Sequence, residues 1–158
     1  YGNTYYDRNR ITHGHETTHG INSHLRNYKN DTGSRANGFY VLDDRGVIVP
    51  EPNMRKSAVG RYVPASLRGS RYGTYISGSR AWDDTPTYVL DEWVSYTNGG
   101  AVGVDLNRRG AWNEGWQDGV MGQLEVAQVH HLTGSDAHGH HRPPRHAKRG
   151  RRHLGHRA

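Results

Sequence analysis

Three observations predict that this sequence folds as an α+β domain. Two segments, Arg10–Tyr28 and one opening near Asp83, carry helix start signals and helical spacing. Between them, two β-branched and aromatic runs bracket a glycine-containing turn, which predicts a small antiparallel sheet. The 158 residues suffice for one domain with a modest core, and not for two.

The elements follow in chain order. Asp7 or Asn9 is expected to cap the first helix, Arg10–Tyr28. Phe39, Tyr40, Val41, Leu42 and Asp43 form one expected strand and Val47, Ile48 and Val49 the next, joined through Asp44, Arg45 and Gly46 and ended by Pro50 and Pro52. Residues 60–82 mix Tyr, Arg, Gly and Ser, with short strand-like pieces at Arg61, Tyr62, Val63 and at Thr74, Tyr75, Ile76. The second long helix is expected to be capped by Asp83, Asp84 or Thr85, to hold Pro86 in its first turn, and to stop at Gly99 and Gly100. A third helix is expected over residues 118–131, where Val120, Leu124 and residues 126–129 fall roughly at helical spacing. No internal repeat is visible.

Composition narrows the chemistry. Leu, Ile, Val and Phe total 25 residues, a share below the ~20% under which disorder becomes an issue, but ten Tyr and four Trp argue for an aromatic-rich core. No apolar run reaches the ~18 residues that span a bilayer. With no cysteine, thiolate metal sites and thiol nucleophiles are excluded, which leaves His, Asp and Glu as metal ligands. The net charge of +6 is unevenly placed: residues 134–158 hold seven of the 21 basic residues and one of the 15 acids, so the preceding 133 residues are neutral. That tail also holds six of the twelve His and a single large aliphatic residue, Leu154. It is expected to be disordered and to touch nucleic acid or anionic surfaces weakly.

The chemically informative residues are His15, Glu16 and His19, a His-Glu-x-x-His pattern inside the first helix. Residues four apart lie about 40° apart around a helix, so both imidazoles can reach one ion. Glu16 falls near them, positioned to hold a water rather than to bind metal. Zinc with neutral imidazole ligands and an open position lowers the pKa of bound water to about 7, within reach of a carboxylate base. Chance produces the pattern in roughly one or two chains per hundred of this composition, so its surroundings matter. Apart from Ile11, Ile21 and Leu25 the helix has few apolar residues, so the face it buries must include the two His. Gly14, Gly20 and three Thr are a poor set for helix stability alone.

A third ligand must come from elsewhere. His24 lies about 140° around the helix from His19, and His13 about 200° from His15, so both point away. Glu92 sits midway along the second helix among Val89, Leu90, Trp93 and Val94, where an unpaired charge is expensive to bury and metal ligation or an Arg partner would relieve it. Asp91, Glu125, His130 and His131 are the alternatives. Charge developing on a carbonyl under attack also needs a donor. Tyr96, one turn from Glu92, is the first candidate, with Tyr75, Tyr72, Arg71 and Arg68 behind it.

On these residues the chain resembles the His-Glu-x-x-His zincin metallopeptidases, and Glu92 on a later helix makes it similar to their gluzincin branch. The resemblance covers residues 10–20 and 84–100. It implies a zincin-like domain over residues 1–133, zinc held by His15, His19 and Glu92, Glu16 as general base for the attacking water, peptide or protein substrates, and export from the cell. The metzincin subclass does not fit, because Asn22 and Leu25 stand where its Gly and His belong. Zincins carry a sheet before the motif helix, whereas nine residues precede this one. Either an upstream part is missing or the hairpin at 39–49 takes that place. The competing expectation is a non-catalytic module stabilised by zinc, with a tail that contacts polyanions. A fourth protein ligand from His24 or His13 would mark it.

Overall fold

The computed structural model describes residues 6–113, 115 and 120–124. Helix α1 spans Arg10–Tyr28. Both expected caps take part in starting it: Asn9 Oδ1 accepts from Thr12 N at 3.0 Å, and Asp7 Oδ1 accepts from Asn9 N at 2.8 Å. Its buried stripe is Ile11, His15, Thr18 and Asn22, so three of the four side chains on that face are polar. Such a stripe is stable only where its polar atoms find partners.

Strands β1 (Ala36–Tyr40) and β2 (Gly46–Pro50) pair antiparallel, with Ala36 opposite Pro50 and Tyr40 opposite Gly46. The turn begins earlier than the sequence predicts: the first strand ends at Tyr40, and Leu42, Asp43 and Asp44 take positive φ. Asp tolerates that region, whereas Gly46 is used in the strand, where an added Cβ would lie 3.1 Å from Leu25 Cδ1. β1 rests directly on α1. A Cβ on Gly38 would meet Leu25 Cβ at 2.5 Å and Arg26 N at 2.8 Å, so only glycine permits this approach.

Residues 56–77 are helical turns, which corrects the strands expected at Arg61–Val63 and Thr74–Ile76. Helix α2 (Lys56–Val59) runs into a 3₁₀ turn, Gly60–Tyr62, and a second 3₁₀ turn covers Ala65–Leu67. Helix α3 (Ser70–Tyr72) widens into a π turn, Gly73–Ser77. Val63 and Ile76 have strand-like identities because they are buried with Val59 and Val89, against Leu67, Tyr72, Trp93 and Tyr96. Packing on a core, without a partner strand, accounts for their composition.

Helix α4 spans Tyr88–Arg108. Its start is capped by Glu51 from beyond β2, which accepts from Thr87 N and Thr87 Oγ1. Of the expected caps, Asp83 instead accepts from Ser57 N in α2, and Asp84 pairs with Arg35 at 2.7 Å. The helix does not stop at Gly99 and Gly100. It runs to Arg108, and Gly110 beyond it, with a φ of +66°, closes a Schellman motif in which Ala111 N donates to Leu106 O and Gly110 N to Asn107 O. Gly99 serves the crossing with α1: its Cβ would lie 2.7 Å from Ile11 O and 3.3 Å from His15 N. Gly14 answers from α1, where an added Cβ would lie 3.0 Å from Val102 Cγ2 and 3.4 Å from Gly99 Cα, and one on Gly103 would lie 3.0 Å from Ile11 Cδ1. α4 thus has the apolar cluster on one side and α1 on the other.

The fold is α+β, with one two-stranded antiparallel sheet among the described residues. No helix among these residues is long and apolar enough to cross a membrane. Of the third expected helix, residues 120–124 are helical. Its remainder, the tail at 134–158, and Glu125, His130 and His131 lie outside the described residues.

Candidate metal centre

The close crossing of α1 and α4 brings His15, His19 and Glu92 together. His15 Nε2 and His19 Nε2 lie 3.0 Å apart, and Glu92 Oε2 is 3.6 Å from the first and 3.7 Å from the second. Two donors each 2.0–2.1 Å from one ion at the tetrahedral angle are themselves about 3.3 Å apart, and the three observed edges bracket that value. His15 and Glu92 are buried, at 8% and 4% exposure. Glu92 Oε2 has no hydrogen-bond partner, although it is buried and faces both imidazoles. A carboxylate oxygen in that position is costly unless a cation meets it. This group could hold a metal ion.

Around the triad the remaining polar atoms are organised. His19 Nδ1 faces Asp91 Oδ1 at 3.0 Å and Ser95 Oγ at 3.2 Å, so that nitrogen carries a proton and Nε2 is the ring atom turned to the triad. Asn22 Nδ2 donates to the same Asp91 oxygen at 2.6 Å, while Asn22 Oδ1 accepts from Tyr40 N, also at 2.6 Å. One fully buried amide therefore ties β1 to the carboxylate that orients His19. Asn98 Nδ2 donates to Tyr40 O at 2.9 Å and fixes the strand end from α4.

Two imidazole nitrogens 3.0 Å apart need a proton or another cation between them. Without metal the proton belongs to His19. Burial works to lower that ring's pKa, but the Asp91 and Glu92 carboxylates override it and raise it from 6.5 to about 10. Burial first, then the neighbouring His19, lowers His15 from 6.5 to about 4, so that ring stays neutral. Burial alone would raise Glu92, but His19 and the Tyr88 hydroxyl hold its carboxyl below its ordinary value.

A cleft of about 480 Å³ opens over this group, lined among others by Glu16, Tyr75, Tyr88, Trp82 and Arg26. Glu16 lines the same space as the two imidazoles, as the motif spacing predicts. Tyr96 packs its ring edge-on to His15, centroids 4.4 Å apart, and its hydroxyl lies 3.0 Å from that of Tyr75. Tyr75 borders the cleft and Tyr96 does not. Arg71 lies over the Tyr96 ring, and Arg68 lies over Tyr72 while donating to Val63 O and Gly60 O. His24 stacks on Tyr28, and His13 meets Tyr6 edge-on. Among the described residues neither joins the triad.

Asp91 turns out to orient His19, whereas the sequence offers it only as a reserve ligand. Asn22 belongs to no metal-ligand motif, although its place three residues past His19 puts it on the same helix face. Comparison with protein-family models, curated proteins and solved structures finds no match.

Proposed function

We propose that this chain is a zinc-dependent, gluzincin-like peptidase whose metal is held by His15, His19 and Glu92. The observation that carries the reading is the triangle of 3.0, 3.6 and 3.7 Å between three donor atoms, beside a cleft that Glu16 lines. Two imidazoles and one carboxylate are a donor set that suits zinc, and three protein ligands leave a position for solvent or substrate. Zinc bound there would supply Lewis acidity toward a carbonyl and acidify a water molecule.

The protein's own groups divide the remaining work. Asp91 holds His19 in the tautomer that offers Nε2 to the ion. Glu16 takes the proton from the attacking water and returns it to the leaving amine. Tyr75 borders the cleft, and burial keeps its hydroxyl protonated, so it is the donor available to a developing oxyanion, while the Tyr88 hydroxyl serves the Glu92 carboxylate. Tyr96 supports this role through its bond to Tyr75.

The test is Glu16→Gln. The variant should retain zinc with unchanged stoichiometry and lose turnover of a quenched-fluorescence peptide pool by at least a hundredfold. Undiminished hydrolysis by the variant would remove Glu16 from the mechanism. Zinc bound by a parent that cleaves no peptide would favour the non-catalytic reading.

A further inference from the structure

The cleft is also bordered by residues that the proposed reaction does not use, Arg26, Asn37 and Trp82 among them. Trp82 lies there half-exposed with a φ of +59°, a conformation that bulky residues rarely take. The segment before it is held from below, where buried Lys56 donates from Nζ to Ser79 O at 3.1 Å and Ala81 O at 2.9 Å. The indole stacks on Tyr88, with centroids 5.9 Å apart and planes 7° from parallel. The Arg26 guanidinium lies 5.3 Å from the indole centroid, and its Nη1 donates to Asn37 Oδ1 at 2.9 Å.

Arg26 differs from four of the arginines. Arg35, Arg45, Arg55 and Arg109 each pair with an aspartate. Among the described residues no carboxylate pairs with Arg26, and it is the one cationic Lys or Arg bordering a cleft that also holds Glu16, Asp91 and Glu92. Its guanidinium is held over the indole and by one hydrogen bond, which leaves further donors free. That arrangement suits a carboxylate fork. The spacing also sets a distance. Arg26 lies seven residues past His19 on nearly the same helix face, about 10.5 Å along the axis. An extended peptide advances about 3.3–3.6 Å per residue, so the interval corresponds to about three residues.

We propose that Arg26, placed over Trp82 and fixed by Asn37, anchors a substrate carboxylate about three residues from the bond presented to His15, His19 and Glu92. This rests on the peptidase reading for its substrate class. The carboxylate is either the chain's own C-terminus, making the enzyme release short C-terminal pieces, or an acidic side chain within a longer substrate.

The experiment uses the full chain without zinc, so binding is read apart from hydrolysis. Three probes are titrated at low ionic strength and followed by tryptophan fluorescence and calorimetry: acetyl-Gly-Gly-Gly with a free carboxylate, acetyl-Gly-Asp-Gly-amide, and the neutral acetyl-Gly-Gly-Gly-amide. At least one anionic probe should bind about tenfold tighter than the neutral one, and Arg26→Gln should abolish the preference. Preference for the free terminus assigns C-terminal release, and preference for the aspartyl probe assigns an internal acidic residue. Arg26→Lys, which keeps the charge and loses the fork, should fall between parent and Gln variant, and it serves as the test if Arg26→Gln does not fold. Equal binding of all three probes, or a preference that survives substitution of Arg26, overturns the proposal. A retained carboxylate preference in a protein that never cleaves peptides would sink the peptidase reading and leave the anion site standing.

Discussion

Substituting Gly99 with alanine tests whether the helix crossing builds the site. In the interior of a helix, Gly→Ala normally stabilises by about 0.8–1 kcal/mol through backbone propensity. At Gly99 the added methyl would lie 2.7 Å from Ile11 O and 3.3 Å from His15 N, which are backbone atoms and cannot swing aside. Helix α1 must therefore retreat by about half an ångström, at an overpacking cost of about 1–3 kcal/mol. Gly20, on the exposed face of α1, has no atom within 4 Å of its would-be Cβ and supplies the control. Both variants share the propensity gain, so the difference between them, about 1–3 kcal/mol, isolates the contact. Urea unfolding with unchanged m-values measures it. Gly20→Ala should stabilise, and Gly99→Ala should be neutral to about 2 kcal/mol less stable than the parent. Gly99→Ala should also bind zinc at least tenfold more weakly, because His15 moves away from Glu92, while Gly20→Ala should bind it normally. If both variants stabilise equally and keep their zinc affinity, the close crossing is not what assembles the triad.

Two further outcomes follow from the same geometry. Asp91→Asn leaves the three ligands in place but removes the anion on His19 Nδ1, so competition against a chelator should show zinc affinity reduced about 10–100-fold without loss of fold. Zinc requires both rings neutral, and with His19 raised to about 10 in the metal-free chain, binding displaces one proton and weakens about tenfold per unit of falling pH between about pH 5 and 9. A flat profile by calorimetry in buffers of different ionisation enthalpy would contradict that assignment. The metal-free protein should melt highest near pH 6.5. His15, lowered to about 4, stabilises above its unfolded value of 6.5, and this contribution is lost as pH falls toward 4. His19 stabilises fully below 6.5, and its contribution is lost as pH rises toward 10.

The residues that local rules govern were the legible ones. Asn9 as cap, α1 to its last residue, and the convergence of His15 and His19 follow from spacing along one helix. Glu92 was legible because a carboxylate among Val89, Trp93 and Val94 needs a partner. The glycines misled, because a sequence shows a weak helix former and not the neighbour pressed against it. Gly99 and Gly100 read as a stop, whereas Gly99 admits Ile11 and His15, and the stop is Gly110. Val63 and Ile76 misled in the opposite direction, since burial against Val59 and Val89 selects the same side chains as a strand does. Asn22 and Asp91 depend on contacts 69 residues apart in sequence, and Trp82 depends on a backbone conformation that its identity argues against.

Whether one ion is held by side chains from two helices is read directly by metal analysis of the chain. After zinc loading and dialysis against a weak chelator, the parent should retain one tightly held zinc per chain, and His15→Ala, His19→Ala and Glu92→Ala should each lose it while remaining folded. Retention of that zinc by folded Glu92→Ala, or by the two histidine variants, would put the metal elsewhere in the chain and contradict the account.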